Sequence, residues 1–171
     1  MRFRGRVPDA VHPWVPLAPG ERVLSWGRTP EGWYAVATTH ALHRRGPDGD
    51  PGAGLATPYA EILRARWQPE TSTLDLVEAV EGSTRRVVLT LEEPGLLPET
   101  VRERVQRSIL ASRRIQVRGS KGVTVVARRP AAGRGPVAWQ VSFDTGIDES
   151  DPAVADQVDA ALAELRATLG V

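Results

Sequence analysis

An α+β fold, with antiparallel strands in two runs and a helix closing each run, is what this sequence predicts. Three observations carry that prediction. Between residues 21 and 93, β-branched and aromatic segments alternate with short turns rich in Pro and Gly. From Pro98 the apolar period changes from two to four, as in an amphipathic helix. The same strand-then-helix order recurs between residues 113 and 169. Helices covering antiparallel sheets define the α+β class.

The first twenty residues predict an extended arm, because prolines at 8, 13, 16 and 19 exclude a helix and spoil strand pairing. Trp14 and Val15 are the residues that would pin it to a core. Residues 21–29 and 32–38 predict a hairpin about the turn residues Pro30, Glu31 and Gly32, and Thr39 and His40 turn the chain into a third strand, ALHRR. The stretch GPDGDPGAGLA (46–56) is too rich in Gly and Pro for regular structure and predicts a surface loop. Three antiparallel strands follow: EILRARWQP, STLDLVEAV after the turn Pro69 to Ser72, and TRRVVLTLEE, where Val87, Leu89 and Leu91 alternate with Arg86, Val88 and Thr90. A helix over about 98–111 has Pro98 in its first turn and Val101, Val105 and Ile109 on one side. RRIQVR, VTVVARR and residues 137–143 predict a three-stranded meander. The closing helix, 152–169, has Asp151 as N-cap, Pro152 at its first position and a stripe of Val154, Val158, Leu162, Leu165 and Leu169. The expected organisation is an arm (1–20), a strand-rich unit with its helix (21–111), and a meander with its helix (112–171), packed together as one compact domain.

At 171 residues the chain can bury a sizeable core. It has no cysteine, so thiolate nucleophiles and cysteine metal sites are excluded and nothing points to an oxidising compartment. No apolar run is long enough to span a bilayer, and the basic, proline-rich N-terminus lacks a secretory core; a cytoplasmic protein is expected. Lys121 is the only lysine among many arginines and asparagine is absent, the composition of a GC-rich bacterial coding sequence. Net charge is +1, but its distribution is uneven. Residues 102–134 hold ten basic side chains against Glu103 alone, whereas 144–171 hold seven acidic ones against Arg166. Two such blocks can attract each other within the fold.

In residues 19–68, PGERVLSWGRTPEGWYAVATTHALHRR and TPYAEILRARW resemble the PH-like and GRAM-like domains of bacteria, at Glu21, Thr38, Leu42, Pro58, Tyr59 and Ile62. With LPETVRERVQRSI included, the chain is similar to a family of uncharacterised actinobacterial PH-like-domain proteins. The resemblance implies a bent antiparallel sheet or barrel closed at one end by a helix. Such scaffolds bind lipids, peptides or proteins, and function does not follow from the fold. The first hairpin turn, Thr29-Pro30-Glu31-Gly32 beside Arg28, lacks the basic residues that grip phosphoinositides in such domains.

No nucleophile motif, phosphate-binding loop or dinucleotide fingerprint is present, so no catalytic residue and no cofactor is expected. His12, His40 and His43 are the candidates for metal or acid–base work, but residues three apart on a strand face opposite ways, and no metal is expected. The carboxylates of Glu92 and Glu93 and of DTGIDESD lack calcium-loop spacing. Arg102, Arg104, Arg107, Arg113, Arg114, Arg118, Lys121, Arg128 and Arg129 form a candidate anion-binding set for nucleic acid or an anionic membrane surface. No tryptophan lies among them to stack on bases. Most tryptophans read as core; Trp14 and Trp33, if exposed together, would mark a partner-binding patch. The leading expectation is a non-enzymatic interaction module that binds another protein through a sheet face, an exposed edge or the arm. A binder of nucleic acid or anionic surfaces is the alternative, and an exposed edge would also permit a homo-oligomer.

Overall fold

The computed structural model describes residues 7–9, 11, 15–45, 54–81, 83–129 and 135–171. The chain divides into two compact units, Met1–Arg107 and Ser108–Val171. Among the described residues the fold is α+β, with antiparallel sheets of four, three and three strands and two α-helices.

In the first unit β1 (Val23–Arg28), β2 (Tyr34–Thr38), β3 (Ala41–Arg45) and β4 (Gly54–Pro58) form a four-stranded meander. A second meander contains β5 (Ile62–Gln68), β6 (Thr73–Val80) and β7 (Ser83–Thr90), and α1 (Leu97–Ser108) follows it. The β2–β3 turn is tight because the Thr38 hydroxyl accepts the backbone N–H groups of His40 and Ala41 at 3.1 and 3.0 Å. Ser72 adopts the left-handed conformation, φ 51°, that lets the chain reverse into β6. Leu42, Ile62, Leu74, Leu76, Leu91, Leu97 and Val101 are fully buried, each contributing about 1.5–3 kcal/mol of apolar transfer. Gly27 lets the entry to α1 approach β1, since a Cβ there would lie 3.1 Å from Leu97 Cδ2 and 3.2 Å from two carbonyl oxygens. The two sheets are not hydrogen-bonded into a closed barrel among the described residues. A bridge between Arg28 and Glu93 ties the end of β1 to the segment after β7.

Two expectations need correction here. The stretch 46–56 is not wholly irregular: Gly54, Leu55 and Ala56 open β4, paired with Arg45, Arg44 and His43. Ladder hydrogen bonds use backbone alone, so a glycine-containing segment can complete an edge that β3 would otherwise leave unpaired. Residues 46–53 lie outside the described residues. The first helix ends at Ser108 rather than 111, because Ile109 and Ala111 find strand partners in Arg128 and Ala127.

The arm residues that are described contain neither helix nor strand. Val11 and Val15 are buried against Val36, with Val7, Val23, Trp26 and Tyr34 around them, so these arm residues pack on the first sheet. Trp14 lies outside the described residues.

The second unit is a meander of β8 (Ile109–Arg118), β9 (Lys121–Arg128) and β10 (Ala138–Phe143), with α2 (Pro152–Leu169) packed on one face. Val123 and Val125 of β9 meet Val154, Val158, Ala161 and Leu165 of α2. The helix starts where the sequence predicts: the Asp151 carboxylate accepts the Ala153 N–H at 2.9 Å, and Gly170 ends the helix in the left-handed region.

Candidate functional site

Within the first unit an open groove of about 520 Å³ runs beside β7. All six residues from Arg85 to Thr90 line it, opposite Thr29, Glu31, Trp33, Ala35 and Arg44. Successive strand side chains point to opposite faces, so six consecutive residues can line one groove only where it follows the strand's edge. In its sheet, ordered β5-β6-β7, β7 is the outer strand.

The hydrogen-bond parity of that edge follows from the ladder. Thr73 is opposite Thr90, and the Leu91 N–H donates to the Ser72 carbonyl at 2.9 Å. In an antiparallel ladder, bonded and non-bonded pairs alternate. Leu89, Val87 and Arg85 consequently turn their N–H and C=O groups toward β6, whereas Thr84, Arg86, Val88 and Thr90 turn theirs to the free side.

Outer strands are commonly blunted by bulges, prolines or short length. Here β1 and β5 each carry one register irregularity and β8 carries two, while β4 is five residues long and ends in Pro58. The outer strand β10 is regular over six pairs, and β7 is regular over eight pairs with β6, with Val88 51% exposed. Among the described residues β7 is a long, regular edge left open beside a groove.

Charge along the groove is graded. Toward the start of β7 lies a buried ion cluster: Glu78 of β6, 1% exposed, accepts from Arg44 at 2.5 and 2.6 Å, from Arg85 at 2.8 Å and from Thr57 at 3.1 Å. Burial alone would raise the Glu78 carboxyl, but these donors outweigh it and hold it below the usual carboxylate range. Two guanidinium groups share that one carboxylate, leaving one positive charge in excess. Arg44 itself is buried, and its Nε has no hydrogen-bond partner among the described residues. Arg86 is matched separately by a bidentate pair to Asp75, both bonds 2.9 Å. Toward the other end of β7 the chain continues to Glu92 and Glu93, which bond to Arg28, and the neighbouring turn carries Thr29 and Glu31.

The sequence-selected residues distribute as follows. Trp33 lines the groove. The four described tryptophans are partly buried: Trp26 and Trp139 pack against the core clusters of their units, as the sequence predicts for most tryptophans, whereas Trp33 borders the groove. The basic set is split between the units. Arg102, Arg104 and Arg107 belong to α1, where Arg107 pairs with Glu103 at 2.8 Å. In the second unit Arg113 pairs with Glu164 and Arg114 with Asp144, and Lys121 donates to the Thr145 carbonyl at 2.8 Å. Arg118 ends β8 and Arg129 follows β9. Arg128 is buried, which lowers its affinity for a proton, and donates to Ser108 at 2.8 Å.

His40 and His43 do not diverge as two strand residues would, because His40 sits in the turn before β3. Both reach Glu21, at 3.6 and 3.4 Å. The same carboxylate accepts from Thr38 at 2.5 Å and from the Ala18 N–H at 2.9 Å. Burial raises the Glu21 carboxyl, but Thr38, Ala18, His43 and His40 together bring it below its ordinary value. The Tyr59 hydroxyl donates toward the carbonyls of Thr38 and Ala41 at 2.7 and 3.0 Å, and burial pushes its phenol up. Thr38, His43 and Tyr59 are buried, so this cluster is a clasp joining the arm, the β2–β3 turn and the start of β5 rather than an open reaction site. Among the described residues no three His, Cys, Asp or Glu side chains are arranged to hold a metal, and no helix is long and apolar enough to cross a membrane.

No protein-family model, curated protein or solved structure matches the chain.

Proposed function

We propose that this protein is a non-enzymatic, cytoplasmic, PH-like interaction module that binds an extended segment of another protein by strand addition along β7. The observation that carries the reading is the regular free edge of β7, whose residues Arg85–Thr90 all border one groove. Main-chain bonds to Arg86, Val88 and Thr90 would supply affinity, and the walls at Trp33, Ala35, Val87 and Leu89 would receive alternate side chains. The PH-like assignment is supported by the order of elements in the first unit, four strands, three strands and a helix. It is supported also by the clasp, in which Glu21, Thr38 and Tyr59 meet while Leu42 and Ile62 are fully buried. The arginine set is the weaker candidate, since Arg107, Arg113 and Arg114 already have carboxylate partners.

Panning a phage-displayed random peptide library on the full chain, with the Val88→Pro variant as counter-target, tests the reading. Enriched peptides that bind the wild type and not Val88→Pro support it. Equal capture by both proteins, or no enrichment, refutes it. Sedimentation of the wild type as a dimer that Val88→Pro dissociates would assign the edge to a second copy instead.

A further inference from the structure

We infer that the segment taken up by this groove is charge-polarised, with a basic residue beside the Thr90 end of β7 and a carboxylate beside the Arg85 end; laid antiparallel, as both strand pairs of this sheet are, it carries the basic residue near its N-terminal end and the carboxylate near its C-terminal end. The inference rests on the strand-addition reading above and adds the partner's chemistry and direction. A strand laid antiparallel on β7 starts beside Thr90 and ends beside Arg85. At its start it meets Glu31 of the β1–β2 turn, which is exposed and borders the groove. At its end it meets Arg44 and Arg85, two guanidinium groups that share the single carboxylate of Glu78. Arg85 is 48% exposed and can turn one face to an incoming carboxylate without leaving Glu78. The Arg44 Nε–H, lacking an acceptor among the described residues, is a further donor that such a group can engage if the side chain shifts.

Between the two charged ends the walls are apolar on one side of the added strand, at Trp33, Ala35, Val87 and Leu89. They match alternate valine-sized residues. In that antiparallel direction the opposite order of charges would place a cation against Arg44 and Arg85 and an anion against Glu31. Like-charge juxtaposition of this kind is a means by which interfaces reject wrong partners and wrong registers. The carboxylate can come from an acidic side chain or from the chain terminus of the partner, and the two sources are separable by amidation.

Two synthetic peptides of identical composition test the inference: Lys-Thr-Val-Thr-Val-Thr-Glu and Glu-Thr-Val-Thr-Val-Thr-Lys, each fluorescein-labelled through an N-terminal Gly-Gly spacer and each made as free acid and as C-terminal amide. Fluorescence anisotropy is read at low salt against the full-length wild type, Arg85→Glu and Val88→Pro. The expected result is that the lysine-first peptide binds the wild type about tenfold more tightly than its reverse, a preference that salt weakens and Arg85→Glu abolishes. Equal affinity of the lysine-first amide and free acid assigns the carboxylate to a side chain, and a roughly tenfold weaker amide assigns it to the terminus. Equal binding of both peptides to the wild type, lost in Val88→Pro, overturns the charge polarity while strand addition stands. Binding of neither peptide, or undiminished binding to Val88→Pro, overturns both. Circular dichroism of the two variants, unchanged from the wild type, secures the comparison.

Discussion

A pair of proline substitutions one residue apart on β7 separates its two backbone orientations. At Val88 the N–H points to the free side and the side chain is 51% exposed, so a proline there removes no ladder bond and little burial. Proline is tolerated at edge positions of this kind, and the residue before it is pushed toward the extended conformation that Val87 already has. The expected cost is about 1 kcal/mol or less, from bending φ toward the ring's value and from lost β-branching. At Leu89 the N–H points to Leu74 of β6. Proline there strands an acceptor, at about 1–3 kcal/mol, and drives the ring into the ladder besides. The two variants should differ by about 2 kcal/mol, roughly a thirtyfold change in the folding equilibrium. Urea denaturation followed by tryptophan fluorescence reads the difference, because Trp26, Trp33 and Trp67 all lie in the first unit. Equal destabilisation by the two prolines would mean that the Val88 N–H is engaged, and the open edge, with everything built on it, would be refuted.

Other perturbations bear on the framework behind that edge. Glu78→Ala leaves the Arg44 charge buried and uncompensated, so stability at neutral pH should fall by about 3–5 kcal/mol in urea titration, while replacing both Glu78 and Arg44 by leucine should restore most of the loss. Glu21 and Glu78 both have lowered carboxyl pKa values in the folded protein. The unfolded chain therefore binds more protons as acid is added: stability is full above about pH 4.3, the unfolded glutamate value, and drains away as the pH falls through the folded values. Glu21→Gln should flatten that decline in a series of urea midpoints, and a decline equally steep in the variant would contradict the role of the clasp. In the second unit, Asp151→Ala removes the cap accepted by Ala153 and should cost about 1 kcal/mol, read from Trp139 fluorescence.

The elements that the sequence makes legible are those defined by local periodicity. Both helices, the β1–β2 hairpin, the β5–β6–β7 meander and the β8–β9–β10 meander follow from spacing that a single segment displays by itself. The strand character of Gly54–Pro58 comes from β3, and a glycine-rich segment has no side-chain pattern to announce a partner. Ile109 is assigned to the helix by sequence for a related reason: four residues after Val105 it continues the helical stripe, although two residues before Ala111 it begins a strand. Only the ladder with Arg128 decides between them. The histidine pair shows the same dependence, since their divergence holds on a strand and fails once His40 lies in the turn.

The candidate site is less legible still, and the cause is physical. Residues 84–90 read plainly as a half-buried strand, but an edge is defined by which neighbour a strand lacks, a property of sheet order that no residue on the strand encodes. What the segment does carry is the absence of the usual protections: no proline, no glycine, no bulge, and an uninterrupted run from Thr84 to Thr90. Residues 102–134 hold a conspicuous run of arginines, yet charge density along a chain says little where acidic partners fold onto it, as Glu164 and Asp144 do. The three arginines that matter to the groove, Arg44, Arg85 and Arg86, come from two distant segments and are conspicuous in neither. Their shared features emerge only when β3 and β7 are brought to the carboxylates of β6, where two guanidinium groups must divide one glutamate. That imbalance beside an unprotected edge is what turns a structural strand into a place where another chain can be received.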